Sequence, residues 1–175
     1  MPDKHNIAPT EADQAEELQL SLYAAYSESL PEEYHAPAVL LGQSILKSMM
    51  LYERFAKQYG LTYNGLLVLL CLRLTDGASQ GGISKLLWLP KQTVGSLLNG
   101  FKKKGYVSET PSPRDARSKI VSLTEEGKAF ADPLFKRLHE LDSMAVTSVS
   151  LEDLRAAVDS VDAYASAFEQ ALDKS

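Results

Sequence analysis

Apolar residues recur every three or four positions along most of the chain, a spacing that predicts a mainly helical protein. A first helix is expected between Thr10 and Pro31, with its apolar face at Ala15, Leu18, Leu22, Tyr26 and Leu30. A second is expected from about Pro37 to Gly60, with apolar positions Leu41, Ile45, Met49, Tyr52 and Ala56. A third helix, from Thr62 to Leu74, is apolar on every side and should therefore be buried.

The middle of the chain changes pattern and predicts a winged helix-turn-helix. A short helix around Ile83, Leu86 and Leu87 is followed by a tight turn at WLP. The next helix, Pro90 to Gly105, has apolar residues at i, i+3, i+4 and i+7, namely Val94, Leu97, Leu98 and Phe101. The segments YVSET and KIVSLT then alternate like half-buried strands, so PSPRDARS should form the tip of a β-hairpin.

Two more helices are expected at the carboxyl end. Thr124 caps the first, whose apolar positions are Leu134, Leu138, Leu141 and Ala145, and Pro133 should kink it. The second begins at Ser150 and repeats its apolar residues in steps of three and four, at Leu151, Leu154, Val158, Val161, Ala165, Phe168 and Leu172. Such a seam packs either against its own chain or against a second copy, and homodimerisation is the interpretation we favour.

These elements predict a mainly α fold with a small β-hairpin wing. The expected domains are a helical dimerisation region at residues 1–60, a winged helix-turn-helix at 61–123, and further dimerisation helices at 124–175.

Charge is distributed unevenly along the chain. Residues 81–122 contain eight basic and two acidic residues, a net charge of +6, whereas the remainder carries −11. This asymmetry is typical of a region that meets a polyanion, although a solvated basic surface without function has the same composition.

The outward face of the Pro90–Gly105 helix suits major-groove recognition. Amides such as Gln92 and Asn99 can pair bidentately with adenine, and lysines can lie near phosphates. The candidate DNA contacts on this helix are Lys91, Gln92, Thr93, Ser96, Asn99 and Lys103. Gly95 is unusual inside a helix, and either a close approach of DNA or neutral drift would account for it.

The hairpin tip supplies a second set of candidate contacts, which are Arg114, Asp115, Arg117 and Lys119. Arginine on a short proline-bounded loop suits a narrow minor groove, where the negative potential is deepest. Asp115 cannot itself favour phosphate, so we expect it to hold a cationic neighbour in position.

The ordered segments LTYNGLLVL, LPKQTVGSLLNGFKKKGYV and SPRDARSKIVSLTEEGKA, which span about Leu61 to Gly127, resemble the MarR (multiple antibiotic resistance regulator) family of bacterial winged helix-turn-helix repressors. The resemblance implies that the Pro90–Lys104 helix enters the major groove, that Arg117 enters the minor groove, and that the terminal helices form a dimer. Positions Ser96 and Gly100 often carry a basic residue in that family and do not here.

The resemblance also implies a small, often aromatic effector bound between the dimer helices and the winged domain. By composition the candidate ligand-binding residues are Tyr34, His35, Met49, Tyr52 and Tyr63, which combine apolar bodies with polar tips. Tyrosine and methionine at helical spacing also occur as ordinary core residues.

Other chemistry finds little support in the sequence. His5, His35 and His139 lie far apart, so no metal, cofactor or catalytic site is expected. Cys71 has apolar neighbours and is interpreted as a core residue; a redox sensor is the alternative. No apolar run approaches the roughly 20 residues that span a bilayer, so a soluble cytoplasmic protein is expected.

Two function classes follow. The favoured one is a homodimeric DNA-binding transcriptional regulator, a repressor on a pseudo-palindromic operator that a small molecule releases. The alternative is a winged-helix module for protein assembly without specific DNA binding. Outward Gln92, Asn99 and Lys103, together with the arginine wing, favour double-stranded DNA as the partner.

Overall fold

The computed structural model describes Leu18, Ser21 and residues 30–112 and 118–174. The elements in chain order are α1 (Glu32–Lys57), α2 (Tyr63–Thr75), β1 (Ala78–Ser79), α3 (Gln80–Leu86), α4 (Lys91–Lys103), β2 (Val107–Pro111), β3 (Lys119–Leu123), α5 (Glu125–Thr147) and α6 (Leu151–Leu172). Contacts group the chain into two compact units, Met1–Tyr63 and Asn64–Ser175. Leu18 and Ser21 are helical, and the rest of the helix expected between Thr10 and Pro31, Leu30 excepted, lies outside the described residues.

The predicted fold class, mainly helical with a β-hairpin wing, is confirmed. Strands β2 and β3 form the hairpin, with Val107 opposite Leu123 and Pro111 opposite Lys119. The short strand β1 pairs with the other side of β3, which gives an antiparallel sheet of order β1-β3-β2. Pro111, which has no N–H to donate, is tolerated because β2 is an edge strand.

Helix α1 in the first unit begins earlier than the sequence predicted. The expected start near Pro37 was wrong: the helix starts at Glu32, after Pro31 at the N-cap, and Pro37 lies inside it. The acids Glu32 and Glu33 occupy the first turn, where the positive end of the helix dipole favours them, and Pro37 is the sixth residue of the helix.

The core of the second unit is built around α2, with one buried apolar residue from α3, three each from α4 and α5, and three from strands β2 and β3. As predicted, the apolar stretch of α2 from Leu66 to Leu72 is buried or half-buried at every position, whereas the last three residues of the helix are exposed. The largest fully buried side chains in the described part of the chain are Leu66, Leu69, Leu72, Ile83, Leu134, Val68 and Val94. These residues bring α3, α4 and α5 onto α2, so the hydrophobic core fixes the positions of both helices of the helix-turn-helix.

The base of the wing is joined tightly to α5. Thr124 caps α5 by accepting a hydrogen bond from the Gly127 N–H, and its own N–H donates to the Tyr106 carbonyl at 3.0 Å. A Cβ at position 127 would lie 2.0 Å from that carbonyl oxygen, so only glycine fits there. Pro133 lies inside α5, which continues to Thr147; the kink expected at Pro133 stays a prediction.

Helix α6 carries an apolar seam that the described residues leave uncovered. It begins where predicted, after Ser150, whose Oγ caps the first turn by accepting from the Asp153 N–H at 3.0 Å. None of its residues is buried. Among the seam residues Val158 and Phe168 are each more than half exposed.

Candidate nucleic-acid interface

A tightly bonded turn joins α3 to α4. The Leu87 N–H donates to the Ile83 carbonyl at 3.0 Å, and the Leu89 N–H donates to the Ser84 carbonyl at 3.1 Å. The Ser84 hydroxyl returns a hydrogen bond to the Leu89 carbonyl at 2.6 Å. Pro90 is the N-cap of α4 rather than its first helical residue, one position from the expected start. The predicted helix-turn-helix is therefore present and held in one geometry.

Helix α4 has one buried and one exposed face, in the orientation that the apolar spacing predicted. Val94, Leu98 and Phe101 are buried, and Leu97 is half-buried. The predicted contacts that are exposed are Lys91, Gln92, Ser96, Asn99 and Lys103, whereas Thr93 is half-buried. The outer face is thus uncharged at its middle and basic at both ends, an arrangement that can present amides to bases and ammonium groups to phosphates.

The side chain of Gln80 covers Gly95, which sequence reasoning did not anticipate. Gln80 Nε2 donates to the Lys91 carbonyl at 2.7 Å, and a Cβ at position 95 would lie 2.7 Å from the same nitrogen. Gly95 therefore makes room for a contact within the protein, between the start of α3 and the first turns of α4. No periodicity indicates this contact, because Gln80 and Gly95 lie on different helices.

The hairpin brings part of the predicted wing beside α4. The Ser112 N–H donates to the Ser118 carbonyl at 2.9 Å, which ties together the two sides of the loop. Residues Arg114, Asp115 and Arg117 lie outside the described residues. Lys119 is the first residue of β3, and its side chain is exposed.

Glu109 on β2 binds two lysines at once. Its Oε2 accepts from Lys102 Nζ at 2.8 Å and from Lys119 Nζ at 2.9 Å. These hydrogen bonds, from Lys102 first and Lys119 second, lower the pKa of the Glu109 carboxyl. Because Glu109 lies opposite Val121, Lys119 is its diagonal neighbour across the hairpin, within reach of a long side chain. The sequence alone did not indicate this cluster, since the hairpin register was needed to find it.

A groove of about 510 Å³ separates α4 from the wing. It collects the predicted contacts Lys91, Asn99 and Lys119 with two residues that were not predicted, Gln80 and Glu109. Gln92, Thr93 and Ser96 line a separate depression on the other side of α4. The candidate interface therefore runs over the exposed face of α4 and extends on one side to the wing.

The candidate effector residues divide into two groups, one at the start of α1 and one towards its end together with Tyr63, the first residue of α2. The rings of Tyr52 and Tyr63 are 6.2 Å apart, and the Tyr63 N–H donates to the Glu53 carboxylate. Tyr34 is exposed, and His35 Nε2 bonds to the Leu30 carbonyl at 2.7 Å. Eighteen helical residues separate Tyr34 from Tyr52, a distance of about 27 Å. Met49 lies one helical turn before Tyr52 and is exposed. Within a single chain, Met49 therefore belongs with Tyr52 and Tyr63, and Tyr34 and His35 lie apart from this group.

The described residues offer little sign of a redox-active cysteine or a metal site. Burial raises the pKa of the Cys71 thiol, with a smaller opposing effect from Thr75, and the side chain is buried as a core residue would be. Within residues 30–112 and 118–174 no group of three histidine, cysteine or acidic side chains could hold a metal ion. No helix in this part of the chain is long and apolar enough to cross a membrane.

Comparison with known sequences and structures gives one family. Residues 59–118 match the sequence model of the MarR family. The HTH-type transcriptional regulator SarZ of Staphylococcus aureus is 35% identical over 83 residues, which are 47% of this chain and 56% of SarZ. The chain thus matches a little over half the length of that curated relative.

Solved structures agree with this assignment. NMB1585, a MarR family regulator from Neisseria meningitidis, is 27% identical with a TM-score of 0.68, covering 77% of this chain and 95% of that one. A mutant of Escherichia coli MarR in complex with operator DNA is 19% identical with a TM-score of 0.60, covering 73% and 95%, and shares the fold. The family match covers the helix-turn-helix and the first strand of the wing, and on these grounds this winged helix-turn-helix region belongs to the MarR family.

Proposed function

We propose that this protein is a sequence-specific DNA-binding transcriptional regulator and not an enzyme. The observation that carries the proposal is the exposed face of α4, where the amides of Gln92 and Asn99 stand between the lysines at the two ends of the helix. The match of residues 59–118 to the MarR family and the likeness in fold to a protein crystallised with operator DNA support it.

The chemistry of this face fits base recognition better than simple charge attraction. An asparagine or glutamine amide can donate to and accept from one adenine edge, which a lysine cannot do. Lys91 and Lys103 near the helix ends would contact phosphates and set the orientation of α4 in the major groove. Lys119 on the wing would meet the backbone of the neighbouring groove.

We infer further that two copies act together. The seam of α6 would leave large apolar side chains in water, and burial of each against a partner contributes about 1.5 to 3 kcal/mol. A two-fold dimer places two α4 helices on one side of the duplex, so its operator would be a pseudo-palindrome with half-sites about one helical turn apart.

Repression and release by a small effector complete the proposal. An apolar or aromatic molecule would bind beside Tyr52 and Tyr63, whose rings are tilted against each other, and Met49, which lies one helical turn before Tyr52. Regulation of DNA affinity by such a ligand requires only that it bind the DNA-competent and DNA-incompetent dimers with different affinity.

Selection from a library of randomised duplex DNA tests the central claim. The wild-type protein should enrich a pseudo-palindrome, and the double variant Gln92→Ala, Asn99→Ala should lose that enrichment while it still binds random duplex. Lys47→Ala, a charge change on α1, is the control and should enrich the same sequence. If the wild type enriches no sequence and its binding to bulk DNA is negligible, the protein-assembly module is the better description.

A further inference from the structure

Trp88, the single tryptophan of the chain, is held out in solvent by the turn between α3 and α4. Its side chain is 88% exposed. Its backbone φ is +50°, in the left-handed region that a bulky residue rarely adopts. Two hydrogen bonds between Ser84 and Leu89 close the turn around it.

The fold itself gives no reason for tryptophan at this position. Leu87 and Leu89 on either side are half-buried, whereas Trp88 adds almost nothing to the core. Glycine or asparagine would adopt the same φ at lower cost. Strained residues of this kind concentrate at functional sites, where the exposed group meets a ligand.

The position of Trp88 in the motif indicates which ligand that is. Trp88 lies two residues before Pro90, the N-cap of α4. In a helix-turn-helix bound to DNA, the first helix crosses the phosphate backbone and the beginning of the second reaches the base edges. A residue in the turn between them lies beside the sugar–phosphate backbone at the edge of the major groove.

We propose that Trp88 is a DNA contact, with its ring against a deoxyribose and its indole N–H donating to a phosphate oxygen; this rests on the function proposed above. Indole suits such a place because it has a broad apolar face and one donor. The contact is independent of base sequence and carries no charge, so it should add affinity without releasing a counterion. In this respect it differs from every lysine of the interface.

Fluorescence tests the contact in the unaltered protein, because no second tryptophan contributes to the emission. The full chain is titrated with a fluorescein-labelled duplex from the selection, and labelled random duplex serves as the second probe. DNA anisotropy and tryptophan emission are followed in parallel titrations. We expect the emission to change and to saturate with the anisotropy for both duplexes. Binding seen by anisotropy with unchanged emission would overturn the contact alone, whereas no binding at all would overturn the proposed function as well.

Two variants of Trp88 and a control distinguish a direct DNA contact from an effect on the folded structure. Trp88→Gly keeps the backbone conformation, and Trp88→Phe keeps a ring without the N–H. At a temperature where circular dichroism shows both folded, we expect each to bind selected and random DNA about three- to tenfold more weakly, with an unchanged slope of log K against log salt. Leu74→Ala, which removes another exposed apolar side chain, should bind like the wild type. Wild-type affinity in both Trp88 variants, or a flatter salt slope, would overturn the proposal.

Discussion

Lys119 Nζ lies 2.9 Å from Glu109 Oε2, and the same carboxylate oxygen receives Lys102 Nζ at 2.8 Å. One acid therefore connects the end of α4 with the wing and offsets two of the positive charges on the candidate interface. We expect these three residues to influence how firmly the wing is held to α4 and how strongly that surface attracts phosphate.

The first prediction concerns Glu109→Gln and pH. The folded-state pKa of Glu109 is lowered from its ordinary 4.5, so its ion pairs stabilise the fold above that pH and are lost as the pH falls through the lower folded-state value. All three side chains are partly exposed, so the loss should be modest, about 0.2 to 1 kcal/mol for each pair. In urea unfolding, the difference in stability between wild type and variant should be largest at pH 7 and should shrink as the pH is lowered below 4.5.

The same substitution should strengthen binding to random DNA, because it leaves two lysine charges without an internal partner. Glu125→Gln is the matched control: it removes the Lys128 ion pair at 2.9 Å on α5, and should leave DNA affinity near the wild-type value. Weaker DNA binding by Glu109→Gln than by the control would mean that holding the wing in place matters more than charge.

The second prediction separates two glycines of α4. Nothing lies within 4 Å of a Cβ added at Gly100, so Gly100→Ala should raise the free energy of unfolding by about 0.5 to 1 kcal/mol. Gly95→Ala must displace the Gln80 amide, and loss of that hydrogen bond should cancel most of the gain. In a Gln80→Ala background the two glycine substitutions should stabilise equally. Equal effects in the wild-type background would show that Gln80 does not constrain position 95.

The fold could largely be predicted from the sequence because helices follow local periodicity. Val94, Leu98 and Phe101 defined the buried face of α4, and the turn composition defined the hairpin. What escaped prediction depends on contacts between elements distant in sequence. Strand β1 has only two residues and exists because β3 pairs with it, the Gln80–Gly95 contact joins two helices, and the Glu109 cluster depends on the hairpin register. The positive φ of Trp88 accompanies the hydrogen bonds of the turn, and the amino-acid composition of the turn does not indicate it.

The third prediction tests the dimer through the α6 seam. Val158→Asp with Val161→Asp places two carboxylates on the seam, and their burial in a dimer would cost several kcal/mol, so the variant should sediment as a monomer. Ala163→Asp adds a carboxylate to the opposite face of α6 and should leave the dimer intact. A wild-type protein that sediments as a monomer at micromolar concentration would contradict the proposed dimer.

The fourth prediction concerns Arg117, which lies outside the described residues and rests on the sequence. If this side chain enters the minor groove, Arg117→Ala should weaken operator binding by roughly ten- to a hundredfold and flatten the slope of log K against log salt by up to about two per dimer. Arg117→Lys keeps the charge but should still bind less well, because an ammonium is more strongly hydrated than a guanidinium and costs more to place in a narrow groove. Equal affinity of Arg117→Lys and wild type would reduce the role of Arg117 to charge alone.

The last prediction turns on Asp115, which with Glu109 is one of the two acids in the basic segment 81–122. If Asp115 holds a cationic neighbour in position for DNA, Asp115→Ala should weaken operator binding although it removes a negative charge beside the duplex. A wing that acts only as a charged loop predicts the opposite sign, because deleting the acid would increase attraction to phosphate. Affinity for the selected operator, measured for both proteins at two salt concentrations, separates the two cases. Added salt weakens general attraction to the duplex more than it weakens a positioned contact. The loss of operator affinity in Asp115→Ala should therefore persist at the higher salt concentration. Tighter operator binding by the variant at both salt concentrations would exclude a positioning role for Asp115.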